Sequence, residues 1–341
     1  MLFALPEADQ FIGYLTAVLI PGATLNSGGT SVAAASDSIH ELLEQLPNNF
    51  VLDSIREDVQ QLGSLHEPLG YVLLQEVVQM NVIIDIMRRD LSALKSSLNG
   101  HCNISDKMEE LLDVLMNKQV PASWLAEAHD SRHGLSKWYI HLLRRVKFLD
   151  SWNECLKEGK PSPPSVWLPG LLNPYALVTS VKQMHIRAET QLYTLLEYDL
   201  NEAPPWEKLH LLGTITQWHS ESDLAHVDPA DLPQEGLLVH GLVLEGATWE
   251  SATSCLIDQV LQDVHPSVPR VHIKTVTRDN LPPALTFPML HSNDDDPPYA
   301  YECPVYARAS RGNSFIFSVH VKSQERATTW LYRAAALIME V

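Results

Sequence analysis

The stretch YECPVYARASRGNSFIFSVHV, residues 301–321, decides the fold of the second half of this sequence. Two runs of aromatic and β-branched residues, which favour strands, flank the turn residues SRGN. The stretch therefore predicts a β-hairpin. Because Pro304 cannot donate a hydrogen bond to a neighbouring strand, we expect its strand to be an edge strand or the Cys303–Pro304 pair to lie at a β-bulge.

Further strand-like runs lie on both sides of this hairpin, and turns rich in Pro, Asp and Asn separate them. The runs are LYTLLEYDL (192–200), GLLVHGLVLEG (236–246) and RVHIKTV (270–276), and the apolar TTWLYRAAALIMEV (328–341) closes the sequence. Gly241 and Gly246 flank one run, and we expect the backbone to pass close to a neighbour there. The closing run predicts a packed C-terminus. These patterns predict a small antiparallel, barrel-like sheet.

The first half of the sequence has helical spacing instead, with apolar residues three and four positions apart. Ser105 is a candidate N-cap, and Pro47, Gly100 and Gly159 mark helix ends. The predicted helices are 36–46, 71–100, 104–121, 135–159 and 173–190. The fold class is therefore α+β, with an N-terminal helical half followed by the barrel-like part.

Composition and charge limit the possible partners of this protein. The net charge of −18 argues against a nucleic acid or an anionic membrane surface. The apolar N-terminus lacks the basic residues of a signal peptide, and no run approaches the roughly 18 apolar residues of a membrane span. Four widely spaced cysteines form no CxxC pair, so we expect reduced, buried thiols in a cytosolic protein. They are Cys102, Cys155, Cys255 and Cys303.

Searches for a catalytic or ligand site find weak candidates. The sequence has no GxxxxGK[ST] loop, no GxGxxG and no GxSxG, so we predict no catalytic and no cofactor-binding residue. His129 and His133 have a spacing that could bind a metal, but Gly134 follows them and a third ligand is missing. We expect a solvated loop there and no metal.

Two charged runs have simple structural interpretations. The acidic run HSNDDDPP (291–298) lacks the order of a calcium-binding loop, so we expect a surface loop. Arg144, Arg145 and Lys147 could face an acidic partner, although a solvated helix face is the simpler interpretation.

Seven phrases, in order, resemble the C-terminal region of dynein heavy chains. GLLVHGLVLEGATWE (236–250) resembles the motif G-x-x-V-x-G-L-x-L-E-G-A-x-W, and the hairpin contains the family's Y-x-C-P-V-Y. The other phrases are VLLQEVVQMNVII (72–84), VPASWL (120–125), VWLPGLLNPYALVTSVKQ (166–183), PRVHIKTV (269–276) and the closing run. The sequence departs from the family at Gln79, where an arginine is usual, at Ala334, where a glycine is usual, and along AHDSRHGLSKW (128–138).

The resemblance implies a three-part organisation. Residues 1–120 would be a helical segment adjoining the last AAA+ module, 121–190 the helices of the C-terminal domain, and 191–341 its barrel-like part. In the family this region follows the sixth AAA+ module and packs on one face of the motor ring. The CPVY residues would then be structural, at a strand edge of the barrel.

The function implied is a non-catalytic, structural and regulatory module of a microtubule motor. ATP and Mg²⁺ would bind upstream, in the parent heavy chain. The implied partners are the AAA+ ring and, through the parent complex, intermediate chains, light intermediate chains and microtubules. Family analogy favours the cytoplasm and cytoskeleton, with a ciliary or flagellar axoneme as the specific location.

Two other functions stay open from sequence alone. One is a stand-alone interaction scaffold with the same fold and no motor activity. The other is a metal-dependent enzyme that uses His129 and His133.

Overall fold

The structure is a computed structural model. It describes residues 30–101, 103–128, 134–193, 209–219, 223–224, 233, 235–259, 267–277 and 299–339. These residues form two compact units. The first takes its residues from Met1–Leu52 and Gln75–Asp150, and the second from Asp53–Leu74 and Ser151–Val341.

Helices fill the first half of the sequence, as predicted, and two short ones that were not predicted, Leu52–Gln61 and Ala122–Glu127, add to the five expected. The helices are α1 (Thr30–Gln45), α2 (Leu52–Gln61), α3 (Glu67–Leu98), α4 (Asp106–Met116), α5 (Ala122–Glu127), α6 (Leu135–Lys157) and α7 (Pro174–Tyr193). Ser105 is the N-cap residue of α4, although its side chain makes no capping hydrogen bond. Tyr193 ends α7, so the prediction of a strand from residue 192 is wrong at its start, and residues 194–200 lie outside the described part.

The core of the first unit is built on α3 and α6. Trp124 and Trp138 stack with ring centroids 6.0 Å apart, and Trp124 Nε1 donates to Asp90 Oδ2 over 3.0 Å. The hydroxyl of Tyr139 donates to the carbonyl of Leu42 over 3.0 Å. Buried aromatic rings with paired polar atoms therefore fix how these helices pack.

A charged pair also lies in the core of the first unit. Glu76 on α3 and Arg145 on α6 are both buried. Burial lowers the pKa of Arg145 to about 10, and the charge of Glu76 opposes that effect. The predicted solvated face is therefore correct for Arg144 and Lys147, which are exposed, and wrong for Arg145.

Helix α3 is long and apolar enough to cross a membrane by length and composition. Half of its most apolar window is buried inside the protein. Its buried positions, among them Leu73, Val77 and Ile84, recur at helical spacing, which is typical of a core helix. It is the one such helix in the part of the chain that the structure describes.

A mixed sheet dominates the second unit. Its strands are β1 (Val166–Trp167), β2 (Leu209–Ile215), β3 (Leu237–His240), β4 (Leu242–Glu245), β5 (Thr248–Glu250), β6 (Cys255–Ile257), β7 (Val271–Thr277), β8 (Tyr299–Tyr306), β9 (Phe315–Ser323) and β10 (Ala336–Met339). The strand order is β1-β3-β7-β2-β9-β8-β10-β4, and β6 joins β5 to β9. The α+β fold class is confirmed, but β2 and β6 pair with β9, and β8 pairs with β10, in parallel.

The sheet curls because two strands that are consecutive in the sequence, β3 and β4, lie near opposite ends of the strand order. β3 pairs with β7, whereas β4, which follows after Gly241, pairs with β10. Gly241 has a φ of 86°, and a Cβ there would come within 2.7 Å of Pro169 and Trp167 side-chain atoms. The expected close backbone passage at this glycine is confirmed.

The hairpin of β8 and β9 is confirmed, but its place in the sheet is not the expected one. β8 lies between β9 and β10, so the prediction that CPVY forms a strand edge is wrong. The proline is tolerated because the pairing with β10 is at Val305 and Tyr306, just after Pro304. The register with β9 is regular at Cys303 and Pro304 and shifts only between Val305 and Tyr306, so the alternative of a β-bulge at the Cys303–Pro304 pair is also wrong.

Candidate interaction surface

A short helix near the C-terminus carries the most exposed aromatic side chain in the described residues. This helix, α8 (Ala327–Tyr332), joins β9 to β10. Its last two side chains, Leu331 and Tyr332, are 55% and 92% exposed. We call these two residues the C-terminal knob. The apolar run had predicted a packed terminus, which is correct for β10 and wrong for these two side chains.

The knob was detectable from helical geometry. Successive residues in an α-helix point about 100° apart, so three consecutive apolar side chains cannot share one face. Trp330 is fully buried and points inward. With Trp330 fixed, Tyr332 lies about 200° around the helix, on the outer side.

The inner side of α8 is fixed by a buried serine. Trp330 Nε1 donates to Ser323 Oγ over 2.6 Å. The same hydroxyl accepts from the backbone N–H of Glu325 over 2.9 Å and donates to its carbonyl over 2.8 Å. A hydroxyl offers one donor and two acceptor positions, so Ser323 uses its full capacity here.

The C-terminal end of α8 is closed by a Schellman motif. Ala334 N–H donates to Leu331 O over 3.0 Å, and Ala335 N–H donates to Trp330 O over 2.9 Å. Ala334 has a φ of 52°, the left-handed conformation that this motif requires and that glycine adopts most easily. The glycine that the resemblance implies at this position therefore has a backbone reason, and here an alanine bears that strain.

Contacts from the sheet hold the residues after the knob. The guanidinium of Arg333 lies 5.2 Å from the centre of the Trp330 ring and pairs with Asp258. The phenol of Tyr301 donates to Ala335 O over 2.7 Å, and burial raises the pKa of that phenol. Side-chain contacts therefore hold the backbone that directly follows the knob.

Gly246 completes this base. It has a φ of 74°, and a Cβ there would come within 2.5 Å of the carbonyl oxygen of Arg333. The backbone of β4 must pass this close for β10 to pair with it. The expected close approach at Gly246 is confirmed.

The cysteine of the hairpin is buried within β8. Cys303 is fully buried, and burial raises the pKa of its thiol to about 12. A thiol in that state is a poor nucleophile. Cys155, Cys255 and Cys303 are free thiols. The predicted burial is correct for Cys255 and Cys303 and wrong for Cys155, which is half-buried.

Other predicted positions lie outside the described residues. These are His129, His133, Cys102 and the acidic run 291–298. Among the residues that are described, no group of three or more His, Cys, Asp and Glu side chains could hold a metal ion.

Comparisons with known proteins agree with the resemblance seen in the sequence. Residues 7–339 match the family of the C-terminal domain of dynein heavy chains. The protein is 32% identical over 303 residues to the ciliary dynein beta chain of Heliocidaris crassispina, and the match covers 89% of this chain and 6% of the relative. It is 30% identical over 329 residues to dynein axonemal heavy chain 17 of Mus musculus, covering 96% of this chain and 6% of the relative.

A third relative has a lower identity but is matched over nearly the whole chain. The flagellar outer arm dynein beta chain of Chlamydomonas reinhardtii is 27% identical over 340 residues, which are 99% of this chain and 7% of the relative. The protein thus spans a small fraction of the length of the relatives it matches. The match nevertheless extends over nearly all of its residues, and the chain belongs to the family of C-terminal domains of dynein heavy chains.

Proposed function

We propose that this protein is a non-catalytic structural and regulatory module of a dynein-type microtubule motor heavy chain. It packs on the AAA+ ring of the same heavy chain and takes part in microtubule-based movement. The single observation that carries this proposal is the family match over residues 7–339. The division into segments 1–120, 121–190 and 191–341 is part of the proposal.

The printed names of the relatives support a location and a set of partners. They are ciliary, axonemal and flagellar dyneins. We infer that the parent motor works in a cytoskeletal structure, the axoneme of a cilium or flagellum. Its partners would include intermediate chains, light intermediate chains and microtubules, and its ATP and Mg²⁺ would bind upstream of this region.

A packed module without a catalytic site can still regulate a motor. It shifts the equilibrium between ring conformations by the difference in contact free energy that it has with each. Couplings of this kind are typically about 1–3 kcal/mol, or roughly 5- to 150-fold in an equilibrium. A rigid surface suits this role because it makes its contacts in one ring state and loses them in another.

Two measurements test the proposal. A fluorescent ATP analogue titrated against the purified protein should show no binding, since the sequence has no phosphate-binding loop. Deleting the region from the heavy chain should change its ATPase rate or stepping, whereas the exposed loop substitution Ser310→Ala, as the control, should not. Nucleotide binding by the purified protein would contradict the first part, and a truncated motor indistinguishable from the intact one would contradict the second.

The size of the protein in cells separates this proposal from a stand-alone scaffold. An antibody against the purified protein should detect a polypeptide of heavy-chain size, several times larger than the 38.2 kDa of this sequence. A stable product of 38.2 kDa with no larger species would favour the scaffold.

A further inference from the structure

Helix α4 carries an apolar face that the first unit covers only in part. Of its six apolar side chains only Leu115 is buried, and Met116, at the end of the helix, is 43% exposed. The other four are half-buried: Met108, Leu111, Leu112 and Val114. We propose that Leu112 and Met116, which we call the α4 strip, bind a cationic amphipathic helix of a separate polypeptide. This inference goes beyond the proposed function and does not depend on it.

Burial decreases steadily around α4 from its inner side to its outer side. Successive residues of an α-helix point about 100° apart. Measured from the buried Leu115, Leu112 lies about 60° around the helix and Met116 lies about 100° around it. Glu109 and Asp113 follow at about 120° and 160°, and both are exposed. Carboxylates therefore border the exposed edge of the α4 strip directly.

The carboxylates of α4 have no partners in the part of the chain that the structure describes. Four acidic side chains of this helix are exposed, and none of them makes an ion pair or a side-chain hydrogen bond with a described residue: Asp106, Glu109, Glu110 and Asp113. The one basic residue of the helix, Lys107, lies about 180° around it from Met116. An apolar strip beside unpaired carboxylates is complementary to a helix whose apolar face is flanked by lysine or arginine.

The end of α4 that carries Met116 is ordered before a partner binds. Lys118 N–H donates to Leu115 O over 2.9 Å, and Gln119 N–H donates to Val114 O over 3.0 Å. With Lys118 at a φ of 57°, these bonds form a Schellman motif. Leu135 N–H also donates to Lys118 O over 2.8 Å, which joins this end to the start of α6. Binding therefore orders no further backbone at the strip, which lowers its entropic cost.

Charge disfavours this protein itself as the source of the partner helix. The longer segments that the structure does not describe, 1–29, 194–208 and 278–298, each carry more acidic than basic residues. A second copy would bring another net charge of −18 to the interface. Since like charges across an interface repel, a cationic segment of a different polypeptide is the occupant that fits. Methionine suits such a surface because its flexible side chain adapts to the partner.

A model peptide tests the inference with the purified protein. A dye-labelled peptide of leucine and lysine, about 18 residues or five helical turns long with its leucines on one face, should bind saturably in fluorescence anisotropy. A peptide of the same composition in scrambled order, without an apolar face, should bind at least about tenfold more weakly. Equal binding of the two peptides would reduce the contact to general charge attraction and overturn the inference.

Charge reversal beside the strip gives a second readout. Glu109→Lys with Asp113→Lys should weaken binding of the amphipathic peptide about tenfold, because attraction to its lysines becomes repulsion. The control is Glu57→Lys with Asp150→Lys, which reverses two exposed acids on α2 and α6 and should weaken binding less than about twofold. Equal losses in the two double variants would also overturn the inference.

Methionine oxidation locates the contact without any substitution. Hydrogen peroxide converts exposed methionine to its sulfoxide, and a saturating amount of the amphipathic peptide should slow this reaction about fivefold at Met116. The half-buried Met184 on α7 is the internal control and should react at an unchanged rate. An unchanged rate at Met116 would overturn the inference. So would protection of Met116 in the full heavy chain without any peptide, because the same polypeptide would then cover the strip.

Discussion

Trp330 Nε1 donates a hydrogen bond to Ser323 Oγ over 2.6 Å, and both side chains are fully buried. The pair joins the end of β9 to α8, so it sets the direction of the helix that carries the knob. The buried position of Ser323 is tolerated because its hydroxyl makes all the hydrogen bonds that it can, one as donor and two as acceptor.

Ser323→Ala should destabilise the protein. The substitution removes the acceptor of the Trp330 indole and of the Glu325 amide, and leaving a buried donor without an acceptor costs about 1–3 kcal/mol. Urea unfolding followed by tryptophan fluorescence measures the loss. Ser310→Ala, in the exposed hairpin loop, is the control and should stay within about 0.5 kcal/mol. Equal effects of the two substitutions would contradict the role of Ser323.

Two glycines with the same backbone conformation separate steric clash from backbone strain. Gly63 and Gly246 have φ values of 75° and 74°, but a Cβ meets nothing within 4 Å at Gly63 and meets Arg333 O at 2.5 Å at Gly246. Gly63→Ala should cost about 1–2 kcal/mol from the left-handed backbone alone. Gly246→Ala should cost about 1–3 kcal/mol more, because β4 must move away from the residues before β10. Melting curves of the two variants measure this difference, and equal melting temperatures would refute it.

The helices were predictable because their periodicity is local, whereas the sheet was predictable only in part. An alternating strand pattern shows that a strand exists but not which strand it pairs with, so the parallel pairs of β9 and β10 carry no local signal. The interior position of β8 is a tertiary property of the same kind. Its proline lies where the pairing with β10 has not yet begun.

The buried arginine was within reach of the sequence. Arg145 lies three residues after Leu142 and four before Leu149, on the stripe of α6 that is buried. Its charge favoured a solvated face, and the compensating Glu76 lies 69 positions away in the sequence. The helical periodicity was therefore a better guide to the burial of Arg145 than its charge was. A basic residue on an apolar stripe predicts a buried partner of opposite charge.

Ala334→Gly should stabilise the protein, against the usual direction of that substitution. Ala334 is exposed and left-handed, with a φ of 52°, so glycine relieves strain and no side-chain packing is lost. We expect a gain of about 0.5–1 kcal/mol. Ala188→Gly, at an exposed position within α7, is the control and should lose about 1 kcal/mol. Chemical denaturation gives both values, and a loss at both positions would show that Ala334 is not strained.

Cys303 should make the protein less stable at alkaline pH. Its pKa is raised from about 8.5 in an unfolded polypeptide to about 12 in the folded protein, with burial as the main cause. The folded state therefore binds more protons than the unfolded state between these values. The stabilising effect is complete below pH of about 8.5 and is lost as the pH rises, by up to about 1.4 kcal/mol per pH unit. The raised pKa of Tyr301, also due to burial, acts in the same direction above pH of about 10.

Urea unfolding between pH of about 8.5 and 10 avoids the contribution of Tyr301, which begins only above that range. Burial also raises the pKa of the Cys155 thiol, so the contribution of Cys303 is the difference between the unmodified protein and Cys303→Ala. In Cys303→Ala the free energy of unfolding should fall less steeply as the pH rises, because the contribution of one titrating proton is lost from the slope. This change in slope is expected whatever the substitution does to stability at neutral pH. In the unmodified protein, iodoacetamide at pH of about 8.5 should alkylate Cys303 at least tenfold more slowly than in the urea-unfolded state, since the folded thiol is protonated and inaccessible. Equal alkylation rates, or an unchanged slope in Cys303→Ala, would show that the thiol is not held protonated inside β8.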